Sequence, residues 1–367
     1  MGGDIYRADQ IGSLLRPEKL LNVREAYKLG KATRDALRAA EDEAVLGVIK
    51  MQQEIGMPVF TDGEMRRDAW QTIFSEAVEG FEPTYPIREI AREDGTRVRL
   101  QMHTKAIDGK LRQTRRLAQT DAAFLEKHAP GPFKITMPSP AVVSRNSYRK
   151  GVTDKAYPDV AELRNDVRNI VEGEMKALVG DGASYLQLDE GFTIYAEPDR
   201  MKASGIDDAE QALGEDIALE NACYDAVKRE GLTLAMHLCR GSRASFARGK
   251  GGYDWLAEHL FDRLHVDRFL LEYDSERVGG FEPLRNMPKG KVAVLGLVSS
   301  TNPVLEKQDD LLRRIEAASK FCPIEQLAIS SQCGFQGSAS RDGAHMTYDQ
   351  QRRKLELIAD TARKVWT

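Results

Sequence analysis

Leu232-Thr233-Leu234-Ala235-Met236-His237-Leu238-Cys239 is a nearly continuous apolar run that ends in two side chains able to ligate a metal. Other short runs along the chain share this build. Val59-Phe60 leads into Thr61-Asp62-Gly63-Glu64, Phe133–Met137 into Pro138-Ser139-Pro140, and Tyr185–Leu188 into Asp189-Glu190. Phe269-Leu270-Leu271 reaches Glu272, Val292–Leu295 reaches Gly296, and Leu327–Ile329 reaches Ser330-Ser331-Gln332-Cys333. Between the runs lie amphipathic stretches. Leu163, Val167, Ile170, Val171 and Met175 share one helical stripe, and 309–318 and 348–365 read the same way. Continuous apolar strands alternating with such helices mark a parallel sheet covered on both faces. An open sheet gathers its chemistry at one switch point, and no GxGxxG fingerprint is present. Here the reactive side chains follow many different strands, as at the mouth of a barrel. The expectation is an α/β fold, a TIM (β/α)8 barrel, with residues 1–367 forming a single domain.

The 367 residues carry 53 Lys and Arg against 57 Asp and Glu, a net charge of −4. With 41% hydrophobic residues and a mean hydropathy of −0.46, the chain can bury a substantial core. No basic surplus points to nucleic acid or an anionic membrane. Four unevenly spaced cysteines do not make a disulfide framework and suit a reducing compartment. No apolar stretch at the N-terminus suggests a secretion signal, and no run approaches the ~18 residues that a membrane span needs. A cytoplasmic location is expected. Residues 85–119 are charge-rich, with Arg88, Arg92, Arg97, Arg99, Arg112, Arg115 and Arg116. They read as an insertion into the barrel, either a two-stranded excursion or long loop over the mouth, or a solvated surface element.

On an extended strand end, residues two apart face the same way, so His237 and Cys239 can both point into the mouth. Imidazole and thiolate together suit Zn²⁺. Cys333 ends another predicted strand, and Glu272 ends the apolar run between them, where a lone carboxylate is costly to bury. Together they make a His-Cys-Glu-Cys set acceptable to tetrahedral zinc. The alternative for Glu272 is an ion pair with Arg240 or Arg277, and for Cys333 a plain buried thiol. Cys223 and Cys322 are read as helical core residues. A zinc site rich in sulfur favours binding a thiol over activating water. It would hold that thiol as thiolate near neutral pH, where a free thiol of pKa ~8.5 is mostly protonated.

His237-Leu238-Cys239, Glu272 and Cys333-Gly334 resemble the zinc motifs of the cobalamin-independent methionine synthase family, in its C-terminal catalytic barrel. Ile11-Gly12-Ser13, Thr61-Asp62-Gly63-Glu64 with Arg66 and Asp68, and Leu186-Gln187-Leu188-Asp189-Glu190 extend the resemblance from Ile5 to Val365. It implies a barrel that uses zinc to activate homocysteine for methylation. It also implies that Ser13 holds the amino acid's carboxylate while Glu64 and Asp189 hold its ammonium, a helix-start serine suiting an anion and paired acids a cation. Helix capping or arginine pairing is the other reading of the two acids. Arg240 is a candidate for an anionic group or an ion pair. Trp70 and Tyr195, with Tyr273 and Phe335, are candidates for an apolar donor pocket or for packing.

Three departures from the family pattern leave the methyl donor open. The chain has one barrel where family synthases have two. Residues 296–303 offer hydroxyls where the family has a proton-shuttling histidine, and Ile135–Pro140 replaces a tryptophan-bearing pterin segment. Short, single-barrel members of the superfamily share the run His237-Leu238-Cys239-Arg240-Gly241, with Leu271–Asp274 and Gln332–Phe335. The donor is a methylfolate, a methylated corrinoid protein or a small methylated compound. The runner-up functions are thiol addition to an epoxide, with a thiol of the coenzyme M type, and a non-catalytic zinc or thiol binder. A homo-oligomer is compatible with the sequence.

Overall fold

The structure, a computed structural model, describes residues 6–85, 87–91, 97–101, 104–197, 201–202, 204–240, 252–340 and 345–366. The chain enters through Tyr6–Ile11, where Ala8 bridges to Ile329, and then forms the helices Glu18–Lys28 and Arg34–Ile55. Thr33 caps the second by accepting from the Ala36 N–H, and Gly56 ends it at φ 76°. Phe60 follows, bridged in parallel to Phe133.

Between Phe60 and the next barrel strand lies the charged insertion. β1 (Val78–Phe81) pairs antiparallel with β4 (Ile107–Gln113), and β2 (Ile87–Ala91) with β3 (Arg97–Gln101). Where the sequence left a two-stranded excursion, a long loop or a surface insertion open over 85–119, the structure has two antiparallel ladders beginning at Val78. Arg92 lies outside the described residues. Arg112 pairs with Glu79 on the facing strand, and Arg116 reaches Glu174 at 2.9 Å.

The main sheet is parallel: β5 (Lys134–Pro138), β6 (Tyr185–Glu190), β7 (Thr233–Leu238), β8 (Arg268–Glu272), β9 (Val292–Val298) and β10 (Leu327–Ser331) lie in chain order. Ala8 adds to the β10 edge and Phe60 to the β5 edge, and Leu14 N–H donates to Gly63 O at 3.0 Å between the two segments that follow. This is the expected (β/α)8 barrel, with its first two strand positions reduced to single bridges. Buried polar groups fill the interior beside the first of them. Lys134 Nζ donates to Asp9 at 2.7 Å and to Gln187 at 2.9 Å, and Arg268 donates to Tyr6 O.

Helices cover the outside. The helix Val160–Gly180, capped by Asp159, buries Leu163, Val167, Val171, Met175 and Leu178, while Ile170 stays half-buried at the edge of the stripe. Thr347 and Gln350 form a capping box at the start of Tyr348–Val365. Cys223 sits buried in the helix Ala209–Asp225, but Cys322 falls beyond the end of Gln308–Ala318, in the turn before Pro323. No helix among the described residues is long and apolar enough to cross a membrane.

Candidate metal centre and substrate site

Parallel strands present their C-terminal ends at one rim, and four ligand-bearing residues converge there. His237 belongs to the end of β7, Cys239 follows it, Glu272 closes β8, and Cys333 lies just past β10. One ligand atom from each falls within 4.8 Å of all the others. Cys239 Sγ is 3.9 Å from Cys333 Sγ, which is 3.5 Å from His237 Nε2. A tetrahedral zinc ion with Zn–S ~2.3 Å and Zn–N ~2.1 Å places such ligand pairs ~3.6–3.8 Å apart. The donor set therefore fits the ion in both chemistry and spacing.

The surrounding contacts orient those atoms. His237 Nδ1 donates to Leu270 O at 3.2 Å, which turns Nε2 toward the sulfurs. Glu272 Oε1 accepts from the Arg240 backbone N–H at 2.7 Å, and Oε2 accepts from Gln332 Nε2 at 2.9 Å and lies 3.3 Å from Arg277. Of the two arginines considered for Glu272, Arg277 makes the ion pair. The cluster is rich in acidic groups for a buried place. Burial pushes Glu272 up to about 7, with Cys239 adding to the rise. Burial opposes the charged form of His237, yet Cys239, Asp189 and Glu272 together hold the imidazole at about 9. A buried site that resists its own negative charge in this way is matched to a cation.

Two further acids stand beside the cluster. Asp189 is the register neighbour of His237 across β6 and β7. Burial pushes its carboxyl up to about 7, opposed by His237 and helped by Glu64. Gln187, two residues back on β6, donates to Asp189 Oδ1 at 2.7 Å. Glu64 Oε1 accepts from Thr136 Oγ1 at 2.8 Å and lies 3.3 Å from Arg67, while Glu64 Oε2 is buried with no hydrogen-bond partner. Neither acid caps a helix.

Ser13 is tied to the loop after β10. Phe335 N–H donates to Ser13 O at 2.9 Å, and a side chain at Gly334 would come within 1.9 Å of Ser13 Oγ. Trp70 flanks the same loop, its backbone N–H donating to Gly337 O at 3.0 Å. The other predicted residues face elsewhere. Arg240 stacks 4.2 Å over Tyr253 and donates to Gly252 O, and the neighbouring Gly241 lies outside the described residues. Tyr195 bonds Asp216 through its hydroxyl, and Tyr273 packs between Tyr253 and Phe281. After β9, Ser299 Oγ accepts from the N–H groups of Thr301 and Asn302. Gly296 itself leaves no room for a side chain, since a Cβ there would lie 2.8 Å from Leu271 O. Sequence reasoning did not assign Thr136, Gln187 or Gln332 a part in the site, and it considered Arg66, Arg67 and Arg240 as cations for the sulfonate of the epoxide reading. Its available signal was a polar side chain inside, or just after, an otherwise apolar strand.

Comparison with known proteins places these features in a family. The model of the cobalamin-independent synthase catalytic domain matches residues 7–352. The protein YxjH of Bacillus subtilis (strain 168) is 34% identical over 372 residues, covering 98% of this chain and 95% of its own. A methionine synthase of Pyrococcus abyssi is 25% identical, over 88% of this chain and 84% of that one. A B12-independent methionine synthase from Shewanella sp. W3-18-1, solved in complex with selenomethionine, superposes with a TM-score of 0.74 at 19% identity, covering 98% of each chain.

Proposed function

Because the chain belongs to the family of cobalamin-independent synthase catalytic domains, we propose that it is a zinc-dependent methyltransferase with a thiol acceptor, homocysteine, and that the whole chain is one catalytic barrel. The observation that carries this reading is the convergence of His237, Cys239, Glu272 and Cys333 beside two inward acids, one of which has a buried oxygen without a partner. Zinc held by the four residues would supply the Lewis acidity that keeps a bound thiol deprotonated near neutral pH.

The chain's own groups do the rest. Glu64 Oε2 and Asp189 receive the ammonium of the amino acid, and Ser13 receives its carboxylate, so that the sulfur is directed at the cluster. Such orientation turns a two-body encounter into a preset approach. The thiolate sulfur attacks the donor methyl in line; the new S–C bond forms as the bond from methyl to donor breaks, and the donor leaves with the electron pair. Of the three arginines that would serve the sulfonate of the epoxide reading, Arg67 and Arg240 are committed to Thr136, Glu64, Tyr253 and Gly252, and Arg66 lines a cavity that holds none of the four metal ligands, which supports an acceptor carrying an ammonium.

Zinc content measured by elemental analysis on wild type and Cys239→Ser, with and without homocysteine, tests the reading. Near one zinc per chain, lost in the variant, is expected. X-ray absorption should show an added sulfur neighbour when homocysteine is supplied. Zinc-free wild type prepared with metal present would overturn the mechanism. A zinc-loaded protein that binds homocysteine but never alkylates it with methylfolate, methylcorrinoid or small methyl donors would leave a thiol-binding barrel in its place.

A further inference from the structure

Away from the metal cluster, a cavity of about 480 Å³ opens between the helices Glu18–Lys28 and Arg34–Ile55, the segment 66–76 and the start of Gln119–His128. None of the four metal ligands lines it. Its rim carries Arg34, Arg38 and Arg115, and its floor carries Arg24, Arg66 and Arg67. With Lys28 these cations outnumber the lining carboxylates Glu41, Asp68, Glu76 and Asp121, even though Arg38 pairs with Glu41 at 3.7 Å, Arg115 with Glu76 at 3.9 Å and Lys28 with Asp68 at 2.7 Å. Arg24 uses both of its Nη nitrogens, on Glu41 at 3.0 Å and Asp68 at 2.9 Å.

Arg66 is different. Its side chain is only 7% exposed, yet none of its three guanidinium nitrogens makes a hydrogen bond. It is ion-paired with Asp42 at 2.7 Å, Asp121 at 3.3 Å and Glu41 at 3.8 Å, all off the N–H directions, and Phe124 covers one face of the guanidinium at 4.7 Å. Burial also pushes Asp121 up to about 7 and raises Glu41, which weakens the acids' claim on the arginines near neutral pH. A buried guanidinium with unused donors is built to take two acceptor oxygens at once.

We propose that this cavity binds a compact polyanion bearing clustered carboxylate or phosphate oxygens, with Arg66 as the buried anchor and Arg34, Arg38 and Arg115 meeting it from the rim. The site is independent of the alkyl-transfer reading. Its one link to the acids of the mouth is Arg67, which lines the cavity and lies 3.3 Å from Glu64.

The test is calorimetric titration of the zinc-loaded chain at constant ionic strength with tricarballylate and, separately, inorganic phosphate, using acetate as the monoanion control. Saturable one-to-one binding by one of the two polyanions is expected, and which one binds identifies the oxygen chemistry. Arg34→Glu changes an exposed side chain, and Arg38→Gln removes the charge of a half-buried one without setting a second carboxylate beside Glu41; each should weaken binding by about tenfold or more. Arg66→Met should abolish it, and if that variant fails to fold the two rim variants decide. No saturable binding by either polyanion, or equal affinity in wild type and both rim variants, would overturn the proposal. Heat that merely reflects zinc stripping would persist unchanged in the rim variants and so counts against it.

Discussion

Glu64 sits in left-handed backbone at φ 58°, alone in this among the non-glycine residues described. That conformation costs about 1–3 kcal/mol and persists only where the surroundings fix it. Here Asp62 Oδ1 accepts from the Glu64 N–H, and Arg16 donates to Glu64 O, so the turn delivers the carboxylate inward. A charge-assisted contact to an ammonium is worth about 1.5–3 kcal/mol, so Glu64→Gln should raise KM for homocysteine roughly 10- to 150-fold. Steady-state kinetics with 4-mercaptobutyrate, which lacks the ammonium, should show little difference between variant and wild type; an equal loss with both thiols would remove the clamp. Gly334→Ala is expected to damage two functions together, because the added carbon meets Ser13 Oγ while its backbone carries Cys333. Lower zinc occupancy and a higher KM should appear in the same preparation. The metal set was legible because each ligand ends an apolar run, where a polar side chain stands out. Arg240, Tyr195 and Tyr273 were not, because a strand-end position says nothing about which neighbour a long or aromatic side chain will meet.

At the scale of elements, the six strands β5 to β10 were readable as apolar runs, since a parallel strand covered on both faces has little choice of composition. The two remaining barrel positions were harder. Tyr6–Ile11 contains the buried polar residues Asp9, which pairs with Lys134, and Gln10, whose Nε2 donates to Gln52, and this polar interior hides the strand. The antiparallel insertion was legible only as charge. Its exit is fixed by buried Glu174, which accepts from the N–H groups of Leu117 and Ala118 and pairs with Arg116, so that the helix Gln119–His128 starts at a set point. In the first turn of that helix, burial and the nearby Asp62 charge push Asp121 from 3.8 up to about 7. The folded chain therefore binds this proton more tightly than the unfolded chain does. This term lowers stability as pH rises from about 4, and the loss is complete above about 7. Thermal melts across pH 5 to 8 should show a shallower fall in Tm with pH for Asp121→Asn than for wild type. Parallel profiles would mean that Arg66 and Arg67 keep the carboxylate charged throughout.

For the molecule as a whole, the metal cluster joins places far apart in the chain. His237 and Cys333 are 96 residues apart, and their strands are separated in the sheet by β8 and β9. An ion bound by both, and by Glu272 between them, would tie three strand ends across one side of the barrel rim. A ligand that binds only the folded chain stabilises it by RT ln(1 + [L]/Kd), about 2.7 kcal/mol at a hundredfold excess over Kd. That stabilisation should not be spread evenly. The ladder of β1 and β4 packs against the outer helices and shares no residue with the cluster, so its local opening is not coupled to the ion. Hydrogen exchange on chelator-treated protein, before and after one equivalent of zinc, should therefore show slowing at 236–240, 270–273 and 331–335. Exchange in 78–81 and 107–113 should stay unchanged. Tm should rise with zinc and stop rising at one equivalent, and Cys239→Ser should show neither effect. Slowing of equal size everywhere would mean that the rim opens only with the whole barrel. No slowing at the three strand ends would mean that the cluster does not hold the ion, and the case for thiol activation would fall with it.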